Sequence, residues 1–134
     1  MESETMRLTP RCDRFAPKLV RQALAGLSGL GWVAGDAMLV ATELVTNAVR
    51  HSQAKADDEL EVLVSKDADT LRISVRDPGT SGQTARLPAR PGAWGGLGLT
   101  VVDQLAAAWG SQRHHDGYEV WAELRLAEPA ACHG

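Results

Sequence analysis

Leu60-Glu61-Val62-Leu63-Val64-Ser65-Lys66-Asp67-Ala68-Asp69-Thr70-Leu71-Arg72-Ile73-Ser74-Val75-Arg76-Asp77 holds two apolar alternations separated by a polar break. Leu60, Val62 and Val64 share one parity, and so do Leu71, Ile73 and Val75. Successive side chains of a strand point to opposite faces, so each run reads as a strand with one buried side. Lys66-Asp67-Ala68-Asp69 is the hairpin turn between them. Asp77 keeps the parity of Leu71, Ile73 and Val75, which predicts an inward carboxylate at the strand's end.

Downstream, residues 77–96 contain Asp77-Pro78-Gly79-Thr80-Ser81-Gly82, then Pro88, Pro91, Gly92, Gly95 and Gly96, without periodicity. A stretch of this length in a small domain is a functional loop or a disordered one. Leu99, Val102, Leu105 and Ala106 then mark a helix. Strands follow at 109–114 and 118–126; in the second, Tyr118, Val120, Ala122, Leu124 and Leu126 alternate with Glu119, Glu123 and Arg125.

Upstream, residues 5–11 suit an edge strand ended by Pro10. Pro17 suits the first turn of a helix carrying Leu19, Val20, Ala23, Leu24 and Leu27, with Gly26, Gly29 and Gly31 at its end. A second helix begins near Gly35 and Asp36 and runs to about His51, with Ala37, Val40, Ala41, Leu44, Val45 and Ala48 as its apolar stripe. Helices interleaved with a mostly antiparallel sheet make an α+β fold, a two-layer α/β sandwich with helices on one face. The regular βαβ alternation of a doubly wound fold is missing, and so is GxxxxGK[ST], which excludes a P-loop.

The chain has 134 residues, the size of a single domain over 1–134. A net charge of −3 without a basic stripe argues against direct nucleic-acid binding. The N-terminal residues lack a signal-peptide pattern, and no apolar run approaches the roughly 20 residues that cross a bilayer. A cytoplasmic location is expected, with Cys12 and Cys132 as free thiols. His51, His114, His115 and His133 show no metal-site spacing. Trp32, Trp109 and Trp121 read as packing residues, and Trp94, inside the long loop, as a candidate ligand or partner contact.

Three segments can carry chemistry. In Glu43-Leu44-Val45-Thr46-Asn47-Ala48-Val49-Arg50-His51-Ser52, Glu43 and Asn47 share one helical face, which Arg50 and His51 continue. A carboxylate and an amide suit Mg²⁺ when phosphates supply the remaining ligands, and Glu43 could serve as a general base. An ordinary solvated helix face is the alternative. Inward Asp77 needs a donor, which an adenine amino group or local turn N–H groups would supply. Gly95-Gly96-Leu97-Gly98-Leu99 opens a helix, where free N–H groups favour phosphates; a flexible loop before a helix start is the alternative. All three together, in this order, describe one nucleotide pocket.

These segments resemble the GHKL (Bergerat-fold) ATPase/kinase superfamily of gyrase, MutL and histidine kinases. Residues 43–52 resemble its N box, Asp77-Pro78-Gly79 its G1 box and Gly96-Leu97-Gly98-Leu99 its G2 box. Trp109-Gly110 and Val120-Trp121-Ala122-Glu123-Leu124 are similar to the end of short actinobacterial proteins related to anti-sigma factor serine/threonine kinases. The resemblance covers about residues 13–126. It implies that Asn47 coordinates Mg²⁺, Glu43 is the catalytic base and Asp77 accepts the adenine amino group. It further implies that Gly79 permits close approach, that Gly96, Leu97, Gly98 and Leu99 form the phosphate segment, and that residues 80–95 form an ATP lid.

Implied cofactors are ATP and Mg²⁺. Implied partners are a sigma factor and a STAS-type anti-anti-sigma protein, and the resemblance suggests a homodimer. The implied activity is serine/threonine phosphotransfer; the alternative is a nucleotide-responsive regulator that transfers no phosphate. Three departures stand out: Thr80 and Ser81 follow Gly79, Leu97 takes the place of an arginine frequent in the kinases, and Glu119 either aligns with a threonine that relatives hold beside the adenine-binding Asp or faces elsewhere.

Overall fold

The computed structural model describes residues 4–51, 58–77, 97–114 and 117–126. Its elements run β1 (Glu4–Leu8), α1 (Ala16–Ala25), a 3-10 turn (Gly31–Val33), α2 (Ala34–His51), β2 (Glu61–Lys66), β3 (Thr70–Asp77), α3 (Leu97–Leu105), β4 (Ala108–His114) and β5 (Gly117–Arg125). The strands form one sheet in the order β1-β2-β3-β5-β4, every neighbouring pair antiparallel. This is the expected α+β sandwich.

The central hairpin follows its alternation. Val62 lies opposite Val75 and Val64 opposite Ile73, and all four are buried. At the turn, the Asp67 carboxylate accepts hydrogen bonds from the backbone N–H groups of Asp69 (2.9 Å) and Thr70 (2.8 Å). The first of these, then the second, holds its pKa below the ordinary value.

Val20 and Leu24 of α1, and Val40, Ala41, Leu44 and Val45 of α2, bury against the inward residues of β2, β3 and β5. Pro17 lies in the first turn of α1, where its missing N–H costs nothing. Gly29 and Gly31 adopt φ of +82° and +53°, conformations that turn the chain from α1 toward α2. The Trp32 indole N–H then donates to the Leu126 carbonyl at 3.0 Å, tying this corner to the end of β5.

The first strand is shorter than the sequence predicts. Proline has no N–H for the ladder, so β1 stops at Leu8. Pairing resumes beyond it: the Pro10 carbonyl accepts from Leu60 N–H (2.8 Å), and Cys12 N–H donates to the Asp58 carbonyl (2.7 Å). No helix among the described residues is long and apolar enough to cross a membrane.

The sheet's second face has no helix packed on it among the described residues. Arg7 pairs with Glu61 at 2.7 Å and Arg72 with Glu123 at 3.0 Å. Arg72 also lies 4.4 Å above the Trp121 ring. That indole crosses Gly110, where a Cβ would stand 3.0 Å from the ring. Trp121 thus packs on the open face, whereas Trp109 joins the core margin and donates to Asp103 at 2.8 Å.

Candidate functional site

α2 supplies the first part of the site. Its apolar stripe faces the sheet, which leaves Glu43 and Asn47 together on its flank, one turn apart. Glu43 is half-buried, but Asn47 is only 7% exposed. The Asn47 amide makes no side-chain hydrogen bond to any described residue. A buried amide without a partner costs about 1–3 kcal/mol. Such a group suits an external ligand with hard-cation or polar character better than a solvated helix face.

β3 supplies the second part. Asp77 ends the stripe Leu71, Ile73 and Val75 and is 5% exposed, so its carboxylate lies on the helix-covered side. Cys12 lies within its electrostatic reach. Burial pushes the Cys12 thiol above its ordinary pKa, and the charges of Asp77, Asp58 and Asp13 push it further. The thiol therefore stays neutral beside Asp77 at physiological pH. No sequence signal pointed to Cys12; the bridge that resumes after Pro10 brings it there. A cleft of about 340 Å³ borders Asp77, where Arg7 and Arg76 share the lining with Glu59 and Glu61.

α3 supplies the third part. It starts at Leu97 and has no acidic residue in its first turn, so no charge within that turn offsets the positive end of the helix dipole. Leu97, Gly98 and Leu99 form that first turn. Gly79, Gly96, Trp94 and the predicted lid at 80–95 lie outside the described residues.

The register corrects the expectation for Glu119. Asp77 lies opposite Tyr118, and Glu119 lies opposite Arg76. A shift of one residue moves a side chain to the other face of a sheet. Glu119 therefore points away from Asp77 and accepts a hydrogen bond from His114 Nε2 at 2.8 Å. Tyr118 is the residue beside the carboxylate, and its parity with Val120, Ala122 and Leu124 was the signal that could have found it.

Comparisons with known proteins bear on the family and the fold. A family model described as histidine kinase-like ATPase domain matches residues 14–124. Among solved structures, the RsbU and RsbW domains of Rv1364c from Mycobacterium tuberculosis superpose with a TM-score of 0.64 at 19% identity. The match covers 95% of this chain and 33% of that one, so the chain spans about a third of the matched structure. At this identity the likeness establishes the fold alone. Curated proteins yield no match.

Proposed function

This chain belongs to the histidine kinase-like ATPase family, and from that premise we propose that it is an ATP-dependent regulator acting as a serine/threonine protein kinase on a STAS-type anti-anti-sigma protein, with a sigma factor as its second partner. Family membership itself implies ATP binding. The observation that carries the finer reading is the buried Asn47 amide, without a side-chain hydrogen bond to any described residue, one turn beyond Glu43 on α2.

In this reading Asn47 helps to hold Mg²⁺, and Asp77 accepts a hydrogen bond from the adenine amino group. Bound Mg²⁺ would offset the negative charge of the phosphates. Glu43, half-buried rather than sealed, is accessible to the hydroxyl of a partner serine and takes its proton. The start of α3 favours the anionic end of the nucleotide. Partner binding is supported by the start of α1 and the residues just before it, where Phe15 and Leu19 are about half exposed beside Arg14, Lys18 and Arg21. An acidic partner surface with an apolar centre fits this face.

A regulator that binds nucleotide without transferring phosphate keeps one support, Leu97 in place of an arginine. Its other support falls with the correction at Glu119. Calorimetric titration with ATP and Mg²⁺, followed by transfer of labelled phosphate to the STAS partner, decides between them. Asp77→Asn is expected to lose at least about tenfold in ATP affinity, and Asn47→Ala to lose Mg²⁺ dependence. Glu43→Gln should bind ATP normally and transfer nothing. A wild type that binds ATP but never transfers phosphate makes the chain a binder, and transfer that persists in Glu43→Gln refutes the role given to Glu43.

A further inference from the structure

Asp77 by itself leaves a problem of selectivity. A carboxylate that accepts an exocyclic amino hydrogen disfavours uracil but does not by itself separate adenine from cytosine, since both bases carry an amino group. Something else in the pocket must distinguish a bicyclic base from a monocyclic one.

Tyr118 is placed to do this. It is the residue opposite Asp77 in the β3–β5 ladder. Directly opposed side chains on one face have Cβ atoms about 4.5–5.5 Å apart. β5 pairs with β3 on one side and β4 on the other, so its side chains can only rise to the helix side or fall to the open side. Tyr118 shares the helix side with Leu124, Ala122 and Val120, which are 2%, 0% and 6% exposed. Tyr118 itself is only partly buried. The floor of the sheet therefore emerges from beneath the helices between Val120 and Tyr118, at the same end as Asp77.

The ring is also held in place. The Tyr118 hydroxyl donates to Ser111 Oγ at 3.2 Å across the β5–β4 pair. With its hydroxyl engaged on β4, the side chain offers the site its aromatic surface rather than a polar tip. A flat ring next to a carboxylate gives a base one apolar contact and one amino-group acceptor.

We propose that Tyr118 contacts the nucleobase and supplies the purine preference of this pocket, while Asp77 supplies the preference for an amino-bearing base. The proposal rests on the ATP-pocket reading above. Tyr118 is the sole tyrosine of the chain, so 3-fluorotyrosine incorporation places a single fluorine reporter at this position.

The experiment measures ATP and CTP affinity by calorimetry for the wild type, Tyr118→Phe and Tyr118→Thr, and follows the fluorine resonance of the labelled wild type. The ATP-to-CTP affinity ratio should fall about tenfold in Tyr118→Thr, within the usual range for aromatic–base stacking. It should hold within about twofold in Tyr118→Phe, which keeps the ring. The fluorine signal should shift with ATP and saturate along the calorimetric isotherm. ATP binding with an unmoved fluorine resonance, or an unchanged ratio in Tyr118→Thr, overturns the proposal and leaves the pocket reading standing. If the wild type binds neither nucleotide, both fall. Should Tyr118→Thr fail to fold, the fluorine titration of the wild type decides alone.

Discussion

The two faces of the sheet obey opposite rules. β3 sends Leu71, Ile73, Val75 and Asp77 to the helix side and Arg72, Ser74 and Arg76 to the other. On the helix side three apolar residues lead to one carboxylate, almost fully buried. On the open side charges are paired across strands at the surface, as with Arg72 and Glu123. A charge on the open side is cheap and says little. A carboxylate on the covered side is costly to desolvate, which sets Asp77 apart from the charges of the open face.

Substitutions on each face sharpen that contrast. The largest effect belongs to the covered side. Ile73→Ala, at a position with no exposed surface, should lower unfolding free energy by about 2–5 kcal/mol in denaturant titration. Next comes a tightly packed spot on the open side. Gly110→Val places side-chain atoms against the Trp121 indole and should cost about 1–3 kcal/mol, with a blue or red shift in tryptophan emission as the ring is displaced. The smallest effect belongs to the surface ion pair. A double-mutant cycle with Arg72→Ala and Glu123→Ala should give a coupling of about 0.2–1 kcal/mol that shrinks with added salt. A coupling above that of the Ile73 truncation would break the comparison.

Much of the fold was legible because burial is periodic. The hairpin at 60–77 could be read from its parity, and Pro17 and the apolar stripe of residues 37–48 located the two first helices. The inward position of Asp77 followed from the same alternation. Three features were not legible, for physical reasons. Pro10 interrupts the ladder but does not end the pairing, and that continuation is set by a tertiary partner, Asp58, which no local pattern announces. Asn47 reads as a polar helix-face residue, and only the packing around α2 shows that it is buried. Glu119 was assigned to the site by likeness of local sequence, yet faces are decided by register, and the pairing of Asp77 with Tyr118 was available only once the strands were aligned in space.

Among the described residues, the last strand in sequence is not the last in the sheet. β5 lies between β3 and β4. As the protein leaves the ribosome, β3 therefore keeps a bare edge until residues 117–125 have emerged, and β4 has nothing to join. Asp77 gains its neighbour Tyr118 only when β5 pairs with β3. Until β5 forms, the growing polypeptide exposes the edge of β3 to pairing with its neighbours.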